Sequence, residues 1–187
     1  MSFNRYCFSR PLRILRRGFL LFVFLSPLAV AEEYLSTEAF LQQVFGSSVP
    51  AREKMWVSEE QRDVARNVIG LGRPPIRVHY WREGNRSAWI LKEIGKEKPI
   101  TIGVGINGGQ VETVRILAFR ESRGWEVKYP YFTEQFSGAS TDHQNKLDRR
   151  IDGITGATLS VNAVQKVVRW AMYLDRGLEA TVTADAG

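Results

Sequence analysis

Seven residues, Asp152-Gly-Ile-Thr-Gly-Ala-Thr158, set two hydroxyl side chains beside residues of minimal bulk, directly before a stretch with helical periodicity. Downstream, Val161, Val164, Val168, Ala171 and Met172 recur at the three-and-four spacing of one helical face. Lys166, Arg169 and Asp175 are read as pointing away from it. The helix is expected to begin within a residue or two of Thr158, with Thr155 or Thr158 available as N-cap. A first helical turn presents unpaired N–H donors and the positive end of the macrodipole, which together suit a phosphate group. Gly156 and Ala157 leave room for one, and a nucleophilic hydroxyl stands beside it.

The stretch resembles the flavinylation motif of the FMN-binding domain family, Asp-x-x-Ser/Thr-Gly-Ala-Thr, found in flavoprotein subunits of sodium-pumping quinone reductase and of Rnf-type electron-transport complexes. The resemblance implies that Thr158 is esterified through its hydroxyl to the phosphate of FMN, by a flavin transferase that uses FAD as donor. Asp152, Thr155, Gly156 and Ala157 complete the cofactor-binding motif on the same ground. Thr101 to Gln110 followed by Val111 to Phe119 is similar to the family's central hairpin, and Phe132-Thr-Glu-Gln-Phe-Ser-Gly138 to its aromatic-x-x-Gln-Phe-x-Gly segment. The likeness extends over roughly Arg77 to Leu174. Where the family often carries Glu-Thr-Pro-Gly-Leu-Gly after the second hairpin strand, this chain has Glu121-Ser-Arg-Gly-Trp-Glu126.

Residues 1–31 have the three parts of a secretory signal: five arginines, the apolar run Gly18 to Leu25, and Ala29-Val-Ala31 before Glu32. Cleavage after Ala31 and a periplasmic or otherwise exported product are expected. The alternative is an uncleaved inner-membrane anchor, although the apolar run falls short of the roughly 20 residues a span needs. Arg16-Arg17 is similar to a twin-arginine signal, but Leu15 stands where a small polar residue is preferred, which favours the general route. The chain has 26 basic and 20 acidic residues; the signal holds five of the basic ones and none of the acids, leaving 21 against 20. The basicity is thus an export feature and points to no nucleic-acid partner. The single cysteine, Cys7, leaves with the signal, and with it any disulfide, haem-attachment or iron–sulfur reading.

The rest reads as an N-terminal helical segment over 32–75, a domain over 76–178 and a flexible tail over 179–187. Helices are expected at Thr37 to Phe45 and, after the capping box Ser58-Glu-Glu-Gln61, through Val64 and Ile69. Strands are expected at Ile76 to Trp81, Ala88 to Ile94, Ile100 to Ile106 and Val111 to Phe119, joined by turns at Glu83-Gly-Asn85 and Asn107-Gly-Gly109, with Trp125 to Tyr131 as a further strand. Turns this short imply antiparallel pairing. The fold class is α+β: a twisted antiparallel sheet with helices packed on one side and a C-terminal helix after the motif.

Other motifs have plainer explanations. Gly103-Val-Gly-Ile-Asn-Gly108 spells a dinucleotide fingerprint, yet that motif must turn a strand into a helix and here it returns into β-branched chain. Glycines at a close approach explain it better. Ser140 follows Glu134 as Thr158 follows Asp152, but polar sequence comes next, so Ser140 is read as a loop residue. His79 and His143 lack a ligand pattern around them, and no metal site is expected. Trp81, Trp89 and Trp125 are read as packing residues. With neither an acid–base dyad nor a second cofactor site in view, a small exported electron-transfer flavoprotein is expected, serving an unidentified membrane or haem redox partner. An exported flavin-dependent reductase and a non-redox binding module are the alternatives. N-terminal sequencing of the exported protein is expected to begin at Glu32; recovery only in membranes with residues 1–31 attached establishes the anchor instead.

Overall fold

The apolar alternation between Val78 and Phe119 is realised as four long strands, β3 (Arg77–Glu83), β4 (Arg86–Ile94), β5 (Pro99–Asn107) and β6 (Gln110–Phe119), each antiparallel to the next. The computed structural model describes residues 32–185, so the export-signal reading lies outside the described residues. Two short strands complete the sheet: β1 (Glu32–Glu33) beside β6 and β2 (Glu53–Trp56) beside β3, giving the order β1-β6-β5-β4-β3-β2. Both come from the segment read as helical, and both are short and carry charge, as edge strands usually do. At the tight turn between β5 and β6, Gly108 and Gly109 both take positive φ, 56° and 73°, as a two-residue hairpin requires.

Helix α1 (Thr37–Phe45) and the capping box that opens α2 (Glu59–Val64) form where expected, and a π-helical turn at Ala65–Ile69 extends α2. The C-terminal helix α4 (Thr158–Asp185) lies on one face of the sheet, where Val161, Val164, Val168, Ala171 and Leu174 pack with Trp89, Ile102, Val104 and Val114. The expectation of helices on one side holds for α4 but not for α1. Phe40, Leu41 and Val44 of α1 pack on the opposite face, with Trp81, Ala88 and Leu117. Those strand residues are also apolar, so both faces of the central strands must be covered. Gly103 and Gly105 are hollowed out for α1: an added Cβ would come within 2.7 Å of the Phe40 ring at the first and 3.0 Å of Val44 at the second. The false dinucleotide fingerprint is therefore a helix-seating device.

Asp175 requires a correction. At about 100° per residue it falls on the same stripe as Val161 and Val168, and its buried carboxylate faces the sheet, accepting from Ser87 Oγ at 2.5 Å and from Trp89 Nε1 at 3.4 Å. The strand expected at Trp125 to Tyr131 is instead a 3₁₀ turn (Trp125–Lys128) followed by the short helix α3 (Pro130–Thr133). The edge of β6 it might have joined is taken, by β1 at one end and by Gly138 and Ala139, which bond to Val111, at the other.

Gly103→Ala is expected to destabilise the fold by about 1–3 kcal/mol through overpacking against Phe40, read from the midpoint of chemical denaturation. An unchanged midpoint would show that α1 does not rest on this strand.

Candidate functional site

The loop before α4 is held from two sides. Phe132 and Phe136 are buried edge-to-face, with ring centroids 5.6 Å apart, and anchor the segment between them. From that segment Gln135 projects its side-chain oxygen to accept the Asp152 N–H at 2.7 Å. The Arg149 guanidinium donates to the carbonyls of Ser137 at 2.9 Å and Gly138 at 2.8 Å, tying the two stretches together. The chain then turns through Ile154–Ala157, with the Ala157 N–H donating to the Ile154 carbonyl at 3.0 Å and Gly156 at φ +82°, a value that favours glycine. Ala157 is buried, and its carbonyl accepts the first helical bond, from Val161 N–H at 3.0 Å.

Ala157 therefore occupies the N-cap position and Thr158 is the first helical residue. Neither Thr155 nor Thr158 caps the helix. Thr158 is exposed, and its hydroxyl makes no hydrogen bond within the described residues. The N–H groups of Thr158, Leu159 and Ser160 precede the first helical bond and likewise have no partner among the described residues. They border a cavity of about 250 Å³ lined by Gly156 to Ser160 together with Lys96 and Arg123. A free hydroxyl, three free amides and two cations thus meet at one helix start, the donor set that suits a phosphate monoanion.

The two cations reach this place through Glu121. Lys96 sits in the turn between β4 and β5, and Arg123 follows β6. One oxygen of Glu121 accepts the backbone N–H groups of Lys96, Glu97 and Lys98 at 2.5, 2.6 and 2.8 Å, bracing the turn. Partial burial pushes the Glu121 carboxyl up, but the amides of Lys98, Glu97 and Lys96 more than offset it and hold the group below its ordinary value of 4.5. Gly124 closes the third side: a Cβ there would come within 2.4 Å of Ser160 Oγ and 3.5 Å of Ala157 Cβ, so only glycine lets this loop lie against the start of α4.

Of the motif residues, Gly156, Ala157 and Thr158 line the cavity, whereas Asp152 and Thr155 do not. Asp152 is exposed, with Arg150 Nε 3.8 Å from its carboxylate. The sequence reading missed Lys96, Arg123, Glu121 and the role of Gln135. A signal was present for two of these, since Glu121, with Gly124, is what Glu121-Ser-Arg-Gly124 retains of the family stretch, and Gln135 lies in a recognised segment. Trp81 and Trp89 are core residues, whereas Trp125 is 40% exposed and meets Tyr129 edge-on at 5.6 Å. Ser140 donates to Asp148 Oδ2 at 2.9 Å, an ordinary loop contact. Among the described residues no group of three or more His, Cys, Asp or Glu is placed to hold a metal, and no helix is long and apolar enough to cross a membrane.

An antiparallel sheet delivers three turns to the start of one long helix, where the donor set is of a kind that suits a phosphate. Residues 95–172 match the model of the FMN-binding domain family, a span that includes Lys96, Arg123 and the whole Asp152–Thr158 loop. The protein thus carries an FMN-binding domain and is a flavin-binding protein. No match is found among curated proteins.

The Glu121 brace gives a pH signature. Because the folded carboxyl titrates below its unfolded value of 4.5, its stabilising contribution is complete above that value and disappears as pH falls through the lower folded one. The amide resonances of Lys96, Glu97 and Lys98 are expected to shift together with a midpoint below 4.5. Glu121→Gln should abolish that common inflection; its persistence would remove Glu121 as the acceptor.

Proposed function

We propose that this protein carries FMN as a phosphoester on Thr158 and passes electrons between redox partners outside the cytoplasm. The observation that carries the reading is the free Thr158 hydroxyl at a helix start, beside three unpaired amides and the cations Lys96 and Arg123. Each member of this set fits a phosphate diester: the amides and cations hold its negative charge, and Gly156 and Ala157 leave the approach open. When bound, the isoalloxazine supplies the electron chemistry, and the protein contributes position and electrostatics.

Attachment requires a flavin transferase as partner and FAD as donor. Thr158 Oγ1 forms the new bond to phosphorus as the pyrophosphate bond of the donor breaks, AMP departs, and the hydroxyl proton passes to a base of the transferase. Thr158 is exposed among the described residues, which keeps its hydroxyl open to an enzyme acting from outside. Asp152 is exposed at the edge of the same loop and outside the cavity, a location suited to contact with the transferase, including a metal ion it brings. Export by the signal of residues 1–31 and an unidentified membrane or haem redox partner complete the proposal, with membrane association only through an uncleaved N-terminus. Among the described residues no acid–base dyad accompanies the attachment site, which favours a carrier over a self-sufficient reductase.

The test is intact-protein mass after co-expression with a flavin transferase. Thr158→Ala is expected to lose the flavin adduct entirely while the protein stays folded, since the hydroxyl supports no internal contact; Ser140→Ala should retain it. Lys96→Ala combined with Arg123→Ala should lower the extent of modification at fixed time, and Asp152→Ala should do so without lowering the melting temperature. An adduct surviving on Thr158→Ala would contradict the assignment.

A further inference from the structure

A second basic hollow lies further along α4. Residues 146–151, leading into the attachment loop, run beside Gln165 and Arg169 and enclose about 260 Å³ with Lys146, Arg149 and Arg150. Among the described residues no acidic one lines it. Gln165 and Arg169 come 7 and 11 residues after Thr158, about 10 and 16 Å along the axis at 1.5 Å per residue. The hollow shares no lining residue with the cavity at Thr158.

Its cations differ from those of a solvated surface patch. Arg169 is partly buried, and its three nitrogens donate to backbone carbonyls, Asn145 at 2.5 Å, Val68 at 3.0 Å and Ile69 at 3.4 Å, with no carboxylate among its partners. Arg149 likewise spends its terminal nitrogens on the carbonyls of Ser137 and Gly138, with Asp148 on Nε at 3.1 Å. A guanidinium has five N–H donors. Each arginine uses three, which fixes its plane and leaves two donors unspent. Lys146 has no side-chain partner among the described residues, and Arg150 has only the 3.8 Å approach to Asp152. Two immobilised guanidinium planes, the unpaired Lys146 and the loosely paired Arg150 therefore line one concavity. Burial disfavours the charged form of Arg169 by more than the nearby Asp142 carboxylate favours it, and an anion in the hollow would offset the remaining cost.

We propose that this hollow is a second anion site, which takes a small oxyanion of two or more negative charges, of the phosphate or polycarboxylate class. Drug-sized ligands and cofactors occupy pockets of roughly 300–1,000 Å³, so the volume favours a small anion over a nucleotide. The inference does not rest on flavin attachment, because neither Thr158 nor its two cations take part.

The experiment is a titration of backbone amide resonances with sodium pyrophosphate and, separately, with sodium citrate, against sodium chloride at matched ionic strength. Saturable shifts at residues 146–151 and 165–169, with either anion or both and with an affinity separate from that of any shifts at 96–98 and 156–160, are expected; saturation of this set by pyrophosphate alone assigns the phosphate class, and by citrate alone the carboxylate class. Lys146→Ala combined with Arg150→Ala should weaken binding by about tenfold or more, given the usual worth of charge-assisted hydrogen bonds. Both side chains are exposed, so the variant should keep its melting temperature. Lys96→Ala combined with Arg123→Ala should leave the affinity unchanged. Shifts that sodium chloride reproduces, or an affinity indifferent to the Lys146/Arg150 change, would overturn the proposal.

Discussion

The seating of α4 on the sheet is the constraint from which the rest follows. Its apolar stripe is buried against β4, β5 and β6, and each Val or Leu so buried contributes roughly 1.5–3 kcal/mol. Burial alone leaves a helix free to slide or rotate slightly. The Asp175 carboxylate removes that freedom, because it must find Ser87 Oγ and stay within reach of Trp89 Nε1, and a buried carboxylate without its donors costs several kcal/mol. With Asp175 fixed, every residue of the helix has an assigned azimuth and height. Thr158, seventeen residues earlier, is thereby presented outward at the start of the helix. The core and the site are two ends of one rigid element.

The second half of the arrangement is a meeting of turns. Because β4, β5 and β6 are successive antiparallel strands, the turn after β4 and the exit of β6 fall at the same end of the sheet. Glu121 crosses from one to the other and binds three amides, which holds Lys96 and Arg123 beside the start of α4. Gly124 allows the contact with Ala157 and Ser160 that seals this corner. The loop carrying Asp152 is steadied independently by Gln135 and Arg149. A phosphate there would meet donors already positioned, with little ordering left to do on binding.

Much of this was legible in the sequence, for identifiable reasons. Helix α1, the capping box of α2 and the long strands follow from local periodicity and turn chemistry, and Thr158 was placed within a residue of the helix start. Asp175 departs from expectation because its charge suggests solvent while its azimuth lies on the stripe of Val161 and Val168. The face that α1 covers is not legible in the sequence, because β5, apolar or glycine at every position from Ile102 to Ile106, does not say which side a helix covers. The segment from Trp125 to Tyr131 has strand-like composition, yet no sheet edge is left for it. Lys96 and Arg123 lie far from the motif in sequence, and only the sheet brings them to it.

The most direct measurement is fragment-ion mass spectrometry of the protein isolated from cells that hold a flavin transferase. Cleavage after Arg150 and Lys166 releases the peptide Ile151–Lys166, which contains Thr155, Thr158 and Ser160 and therefore discriminates among the hydroxyls of this region. The account predicts one flavin phosphate per chain, on Thr158. An adduct on Thr155, on Ser160 or on any other peptide, or flavin that leaves the protein on denaturation, would contradict it.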